Sequence, residues 1–427
     1  MKIRSLLLSC LICSGLCASQ QKDFTKASAR KIYADTLNAS LKFWTTPEVI
    51  DPAGGYHAWF DQNGKRLNDG DRPGMNKVFQ MQMRILYSHA MAIVREKDPA
   101  ELKRLRSQLD HGFAFLDRYK SSENGFYITS LTNQNQPQNT LTRATNQICM
   151  IHMMSVIADE LKDARAETLA KETFRKFDQY FHDSKSGGYF EYPNGRSENK
   201  SIPGMKTTSS NIHAIHALSK LQRIAPADPV VKARLEELFR ILTDEKILHP
   251  SGNITRSLYA DWSPIADDAP EHEKAHYGVA TEMVWYVLDS AETTQPEMVA
   301  KLLPWAEKMA QNVMQNAIGS LGDVSLLGPY GKPAGNAAVL CWWAQTETMV
   351  MLAKLYQFTG KKEYFDALGR ITRCAEKYMQ SPTFVWYSEV DMKTGKRGDQ
   401  GGYAWKAGMH VIRAMIVMEN SLAKIQK

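Results

Sequence analysis

Three features of the sequence predict an all-α chain folded as a toroid of helical hairpins. Apolar residues recur at helical spacing almost throughout: Phe79, Met83, Leu86 and Ala90 lie on one stripe, and Trp342, Gln345, Met349, Leu352 and Tyr356 on another. A glycine–aromatic signature returns between helical segments, as Gly54-Gly55-Tyr56, Asn124-Gly125-Phe126-Tyr127, Gly187-Gly188-Tyr189-Phe190 and Gly401-Gly402-Tyr403. The first three recur at roughly sixty to seventy residues, room for two helices and their loops, so the repeating unit is a helix pair. Third, Ile148, Met150, Ile151, Met153, Met154, Val156 and Ile157 leave little room for a polar side. Such a helix is buried on both faces, as the inner member of a double-layered ring would be. Segment 101–116 is amphipathic and suits the outer layer. Runs with strand alternation are short and few. No Pro/Ser-rich linker or composition break divides the chain, so a single domain is expected over residues 20–427.

From the beginning of the chain, Met1-Lys2-Ile3-Arg4, an apolar run over 6–16, and Ala18-Ser19 have the basic, apolar and small-residue regions of a secretory signal. Cleavage is expected near Ser19. Cys10, Cys13 and Cys17 raise a lipoprotein reading, but Cys17 follows Leu16 where lipidation wants a small residue, so free export ranks first. No later segment has the ~20 uninterrupted apolar residues of a membrane helix. The mature part keeps Cys149, Cys341 and Cys374, an odd number within apolar helical patterns, which allows one disulfide at most. The net charge of +7 becomes +5 once Lys2 and Arg4 are lost with the signal (7 − 2). Basic and acidic residues are interspersed, which argues against a nucleic-acid or membrane patch.

The densest polar cluster within apolar helices is Trp342-Trp343-Ala344-Gln345-Thr346-Glu347. Glu347 follows Trp343 by four residues, so an indole and a carboxylate share a helix face, a pairing suited to stacking a sugar ring while bonding its hydroxyls. Glu282 and Trp285, three apart, repeat the idea after His276-Tyr277-Gly278. His213, His216 and His410 sit on other strongly apolar helices, and Arg84 is a cation on a helix that is otherwise apolar. A single buried histidine is more often a satisfied core residue than a catalyst. Buried-looking His, Arg, Glu and Trp taken together argue for a polar cavity at the centre of the ring, since such a charge needs a partner or a hydroxyl-rich ligand. His213 and His216 have helical metal-ligand spacing, but no third ligand stands at a recognisable distance along the chain. No glycine-rich phosphate loop follows a strand, so neither metal nor nucleotide cofactor is expected.

These motifs resemble those of the N-acylglucosamine 2-epimerase superfamily, which includes cellobiose and mannobiose 2-epimerases and mannose or sulfoquinovose isomerases. The likeness covers most of the mature chain. Gly54-Gly55-Tyr56 with Asp61 and Gly64 resembles the family's opening, and residues 80–87 its Gln-x-Arg-x-x-Tyr helix, which carries a substrate-contacting arginine onto Arg84. Asn211-x-His213 is similar to its Asn-x-His helix, Trp342-Trp343-x-Gln345-x-Glu347 to its Trp-Trp-x-Gln-x-Glu helix, and the 406–413 stretch, just after Trp405, to its Lys-x-x-x-His-x-x-Arg terminus, ending on Arg413, so that Asn211, Trp405 and Arg413 are expected sugar contacts. The last two are the most specific.

The resemblance implies an (α/α)6 barrel, no cofactor and a mono- or disaccharide substrate; a monomer or a homodimer is expected, with nothing in the sequence choosing between them. It also implies chemistry in which histidines move the proton α to the carbonyl of an opened sugar, a role suited to an unperturbed pKa near 6.5. His410 matches one of the family's two acid–base histidines. The other departs: where the family has Gly-His-x-x-Glu-x-x-Trp, this chain has Gly278-Val279-Ala280-Thr281-Glu282-x-x-Trp285. Val279 cannot carry a proton, and His276, about one turn upstream, or His213 is the expected substitute. Ile215 likewise replaces the second histidine of Asn-x-His-x-His, with His216 shifted by one. Three readings stay open: an epimerase or isomerase using His410 with a rearranged partner, a glycan hydrolase or lyase using Glu282 and Glu347, or a sugar-binding protein that has lost catalysis. The 319–335 stretch, rich in Gly and Pro, is a candidate rim or lid.

Overall fold

The computed structural model describes residues 24–425 apart from positions 62, 69–74, 197–201, 250, 266–273, 384 and 399. The signal-like residues 1–19, with Cys10, Cys13 and Cys17, lie outside the described residues. Twelve α-helices account for most of the described chain: α1 (Lys26–Trp44), α2 (Phe79–Arg95), α3 (Pro99–Phe115), α4 (Ala144–Leu161), α5 (Ala164–Phe181), α6 (Thr208–Ile224), α7 (Pro229–Leu242), α8 (Tyr277–Thr294), α9 (Val299–Asn316), α10 (Trp342–Thr359), α11 (Lys362–Tyr378) and α12 (Met409–Lys424).

The even-numbered helices form an inner ring in which α2 packs on α4, α4 on α6, and so on to α12, which returns to α2. Each inner helix has an outer partner: α3, α5, α7, α9 and α11 cover α2, α4, α6, α8 and α10, and α1 covers α12. The architecture is the six-hairpin (α/α)6 barrel expected. Burial follows the layers. Helix α8 is buried continuously from Tyr277 to Ala291, whereas α3 buries only Leu105, Gln108, Leu109, Gly112 and Phe115. Cys149, Cys341 and Cys374 are free thiols.

Inner-to-outer connections are short because the sequence builds abrupt helix starts there. Asp98, Asp163 and Asp228 cap α3, α5 and α7 through their side chains, and Pro99 and Pro229 occupy the first helical position, where no N–H is needed. Outer-to-inner connections are long, at 45–78, 116–143, 182–207, 243–276, 317–341 and 379–408. All six lie at the N-terminal ends of the inner helices. Short antiparallel pairs tie them together. Phe60–Asp61 pairs with Gln400–Gly402, joining the first connection to the last. Lys274–His276 pairs with Leu327–Pro329, with His276 opposite Leu327, so the 319–335 stretch is stapled to the approach to α8.

The glycine–aromatic turns have a specific job. Gln82 on α2 accepts a hydrogen bond from Tyr56 N–H (2.7 Å) and donates to Tyr56 C=O (2.8 Å). Gln147 on α4 does the same to Tyr127 (3.0 and 2.9 Å), and Asn211 on α6 to Tyr189 (2.8 and 3.1 Å). Glycine precedes clamped Tyr56 and Tyr189 because the amide comes so close: a Cβ would lie 2.5 Å from Gln82 Oε1 on Gly55 and 2.9 Å from Asn211 Oδ1 on Gly188, and both glycines adopt positive φ; before Tyr127 stands Phe126. The fourth occurrence, Gly401-Gly402-Tyr403, differs: Gln400–Gly402 is a strand, and Gly402 gives room for the backbone carbonyl of Ala58, which precedes the partner strand Phe60–Asp61. Replacing Gln82 by Leu strands a buried N–H and a buried C=O at about 1–3 kcal/mol each. A loss of about 2–6 kcal/mol in unfolding free energy is therefore expected in urea titration; a loss below about 0.5 kcal/mol would mean that water replaces the amide.

Candidate active site

The polar residues singled out in the sequence converge because they occupy the first turns of the inner helices. Helix α12 brings His410 and Arg413, α10 brings Trp343 and Glu347, α8 brings Glu282, Trp285 and Tyr286, α6 brings His213, and α2 brings Arg84. The N-termini of the inner helices thus face one end of the barrel, an arrangement that favours developing negative charge there.

Glu347 is the hub. Its Oε1 accepts from His410 Nδ1–H (2.6 Å) and from Arg413 Nη2 (2.8 Å), and its Oε2 from Trp285 Nε1 (2.8 Å). With Nδ1 held in this way, the proton of a neutral His410 is fixed on Nδ1 and the lone pair on Nε2. Arg413 also donates to Tyr286 Oη (2.7 Å), and Tyr286 donates to Glu282 Oε1 (3.2 Å). Burial alone would discharge Arg413, but Glu347, Tyr286 and Glu282 hold its pKa above the usual arginine value. Burial would likewise raise the Glu282 carboxyl, but His213, His410 and Arg413 hold it well below the usual carboxylate range. Burial lowers His410, and Glu347 offsets this only in part, so its pKa lies below 6.5 and the ring is neutral at pH 7.

His213 donates from Nδ1 to Ser209 C=O (2.8 Å) and turns Nε2 toward Glu282 Oε1 (3.7 Å). His276 precedes α8 and caps it: its Nδ1 accepts from Val279 N–H (3.2 Å). Trp343 lies between two imidazoles, with ring centroids 5.7 Å from His276 and 6.2 Å from His410. Arg84 donates to Trp405 C=O (2.5 Å), while its buried Nε has no protein partner among the described residues. Trp405 is 50% exposed.

Several residues expected to touch a sugar are placed otherwise. Asn211 is fully buried, and its amide is taken up by Tyr189 and by Thr207 C=O. Trp285 and Glu347 are both 0% exposed and support His410 and Arg413 from behind, so the predicted Trp343–Glu347 sugar platform is divided: the indole is part-exposed, the carboxylate is not. Trp342 is buried edge-on against Tyr403 and His410. Tyr286, which sequence reasoning missed, stands four residues after Glu282 on the same face. Its signal was hidden by the neighbouring tryptophan.

Glu282, Glu347 and His410 present ligand-type atoms within 4.8 Å of one another, a donor set that could hold a metal ion. Arg413 already stands among them, 2.8 Å from Glu347 and 3.9 Å from Glu282. Its guanidinium supplies the positive charge that a cation would bring, so the three residues do not fit a metal in this arrangement.

A cavity of about 460 Å³ opens at the opposite end of the barrel, where the inner helices finish. It is separated from the site by Arg413 and by His216, which stacks on Tyr286. Its charges are paired: Asp289 with Lys220 and Lys354 (2.6 Å each) and with His216 (3.3 Å), and Glu292 with Lys354 and Lys424. His216 thus serves this network, with burial driving its pKa down to about 3.

The family profile for N-acylglucosamine 2-epimerase matches residues 54–420. A cellobiose 2-epimerase of Eubacterium cellulosolvens is 21% identical over 383 residues, covering 85% of this chain and 88% of that one. Among solved structures, a cellobiose 2-epimerase from Bacillus thermoamylovorans superposes with a TM-score of 0.78 at 18% identity, covering 92% of this chain and 99% of that one. A D-mannose isomerase gives 0.79 at 17% identity, covering 93% and 99%. A family 76 glycoside hydrolase of Bacteroides thetaiotaomicron shares the fold at 0.62 and 13% identity, covering 94% and 79%. With its profile matched over most of its length, the chain belongs to the N-acylglucosamine 2-epimerase family of carbohydrate epimerases and isomerases.

Proposed function

We propose that this protein is a sugar 2-epimerase or aldose–ketose isomerase in which His410 Nε2 removes the C2 proton of an opened mono- or disaccharide. One observation carries the reading: His410 Nδ1–H is pinned by Glu347, and Glu347 is held by Arg413 and Trp285. A neutral imidazole with its lone pair on the free nitrogen is the form a general base needs. The C2–H electron pair becomes the C1=C2 bond and the carbonyl pair moves to O1. The resulting enediolate is favoured by the helix N-termini around it. Return of the proton to C2 from the other face gives the epimer; return to C1, with the O2–H proton passing to O1, gives the ketose. His213, with Nε2 beside Glu282, is the second proton-transfer group, in place of the histidine that Val279 replaces. Arg84, Trp343 and Trp405 line the route to it as sugar contacts.

The hydrolase reading has one point in its favour, since Glu282 and Glu347 lie about as close as the pair in a retaining glycosidase. A glycosidase acid needs a raised pKa, however, and Glu282 is lowered, while both Glu347 oxygens are occupied. The test is incubation of the protein with mannose, N-acetylmannosamine, cellobiose and mannobiose in D2O, with deuterium entry at C2 followed by NMR. Deuterium incorporation is the expected result; its absence with all four sugars, with glycan cleavage instead, would overturn the reading. We also propose that the protein is exported after cleavage near Ser19; N-terminal sequencing of the cell-envelope protein should begin close to Gln20.

A further inference from the structure

His276 stands outside the helix that carries Val279, yet both its backbone and its ring are tied to the site. Its backbone lies in the Lys274–His276 strand, paired opposite Leu327, and the next residue donates from Tyr277 N–H to Leu326 C=O (3.0 Å). Its ring caps α8 with Nδ1 and lies against Trp343, whose indole also neighbours His410. The residue is only 9% exposed, and among the described residues no carboxylate pairs with it.

A backbone N–H can only donate, so Nδ1 of His276 must carry its lone pair and Nε2 its proton. Protonating Nδ1 would break the cap. Burial and the nearby Arg256 charge push the pKa down to about 4, and Glu282 restores little of it, so the ring stays neutral across the working range. Among the described residues no side-chain acceptor bonds Nε2–H, and Trp343, part-exposed between the two imidazoles, is the surface on which a sugar would rest.

Resting on the epimerase or isomerase reading above, we propose that His276 is a fixed neutral hydrogen-bond donor to the substrate's carbonyl oxygen. It polarises C1=O and binds the enediolate oxygen without giving up its proton, while His410 takes the C2 proton. No net proton enters or leaves through His276. A neutral donor of this kind, set by a helix N-terminus, is a better match to an enediolate than an imidazolium that would protonate it outright.

The test pairs spectroscopy with kinetics. In ¹⁵N-histidine NMR, His276 should show the Nε2–H tautomer and no titration from pH 5.5 to 8.5, and its Nε2–H resonance should shift when mannose or cellobiose is added. Titration near pH 6.5, an Nδ1–H tautomer, or no shift with any sugar that other site resonances report would overturn the proposal. His276→Asn keeps an N-cap acceptor, but its shorter amide places no donor where Nε2–H stands. It should lower kcat for C2 exchange about 100-fold, the scale of losing one oxyanion donor, with the pH profile unmoved. An unchanged kcat would mean that His276 is a cap alone, and a displaced pH limb would mean that it exchanges a proton. Should the wild-type protein exchange no deuterium, the functional reading fails by itself, and the sugar-induced shift of Nε2–H still decides the role of His276.

Discussion

His410→Ala is expected to lower C2 proton exchange by about 10⁴-fold, the upper end for loss of a positioned acid–base group. Among the described residues no other imidazole stands on Glu347, and water cannot be oriented there by the same carboxylate without a ring to hold. The fold should survive, because Glu347 keeps Arg413 and Trp285 as donors after the ring is gone. The melting transition should therefore stay near that of the wild type while deuterium entry vanishes. The wild-type pH profile provides the companion reading. A base works when deprotonated, and burial depresses the pKa of His410, so the acid limb of kcat/KM should fall below pH 6.5. An acid limb above pH 7, or a variant with a tenth or more of normal exchange, would remove His410 from the role.

Glu347→Gln should damage stability and activity together. The carboxylate accepts three hydrogen bonds and offers none. An amide has one oxygen, so its NH2 must face either Trp285 or the His410–Arg413 pair, donor against donor. Arg413 is left as a buried cation whose nearest remaining carboxylate, Glu282, is 3.9 Å away. Breaking one side of a buried ion pair costs about 3–5 kcal/mol, and His410 loses the contact that fixes its tautomer. Denaturant unfolding should show the loss, and exchange should fall by at least about 100-fold. A variant as stable as the wild type would mean that Glu282 moves in to neutralise Arg413.

The ring of hairpins was legible because its causes are periodic. Helices buried on both faces, such as α4, and helices with one apolar stripe, such as α3, leave different patterns in the sequence. The glycine–aromatic repeat was also legible, although its reason was not: nothing local shows that Gln82, Gln147 and Asn211 reach back about twenty residues or more to hold those turns. Asn211 therefore looked like a sugar ligand. Trp285 and Glu347 were found but given the wrong surroundings, because position on a helix face does not say whether that face meets the cavity or the neighbouring helix. The capping of α8 by His276 was hidden for a similar reason, as the sequence places it one residue before the helix without showing where the ring turns.

The amide clamps have a bearing on how this scaffold can change. Each pegs the opening of a long connection to an inner helix, independently of the strand pairs farther along it. Exchanges farther along these connections that keep the strand pairs, Phe60–Asp61 with Gln400–Gly402 and Ser130–Thr132 with Asn76–Val78, then need not disturb the turn or the helix on which it is fastened. New preferences for larger or branched glycans can therefore be engineered by loop grafting beyond the clamped tyrosines, with Glu347, Arg413 and His410 left in place.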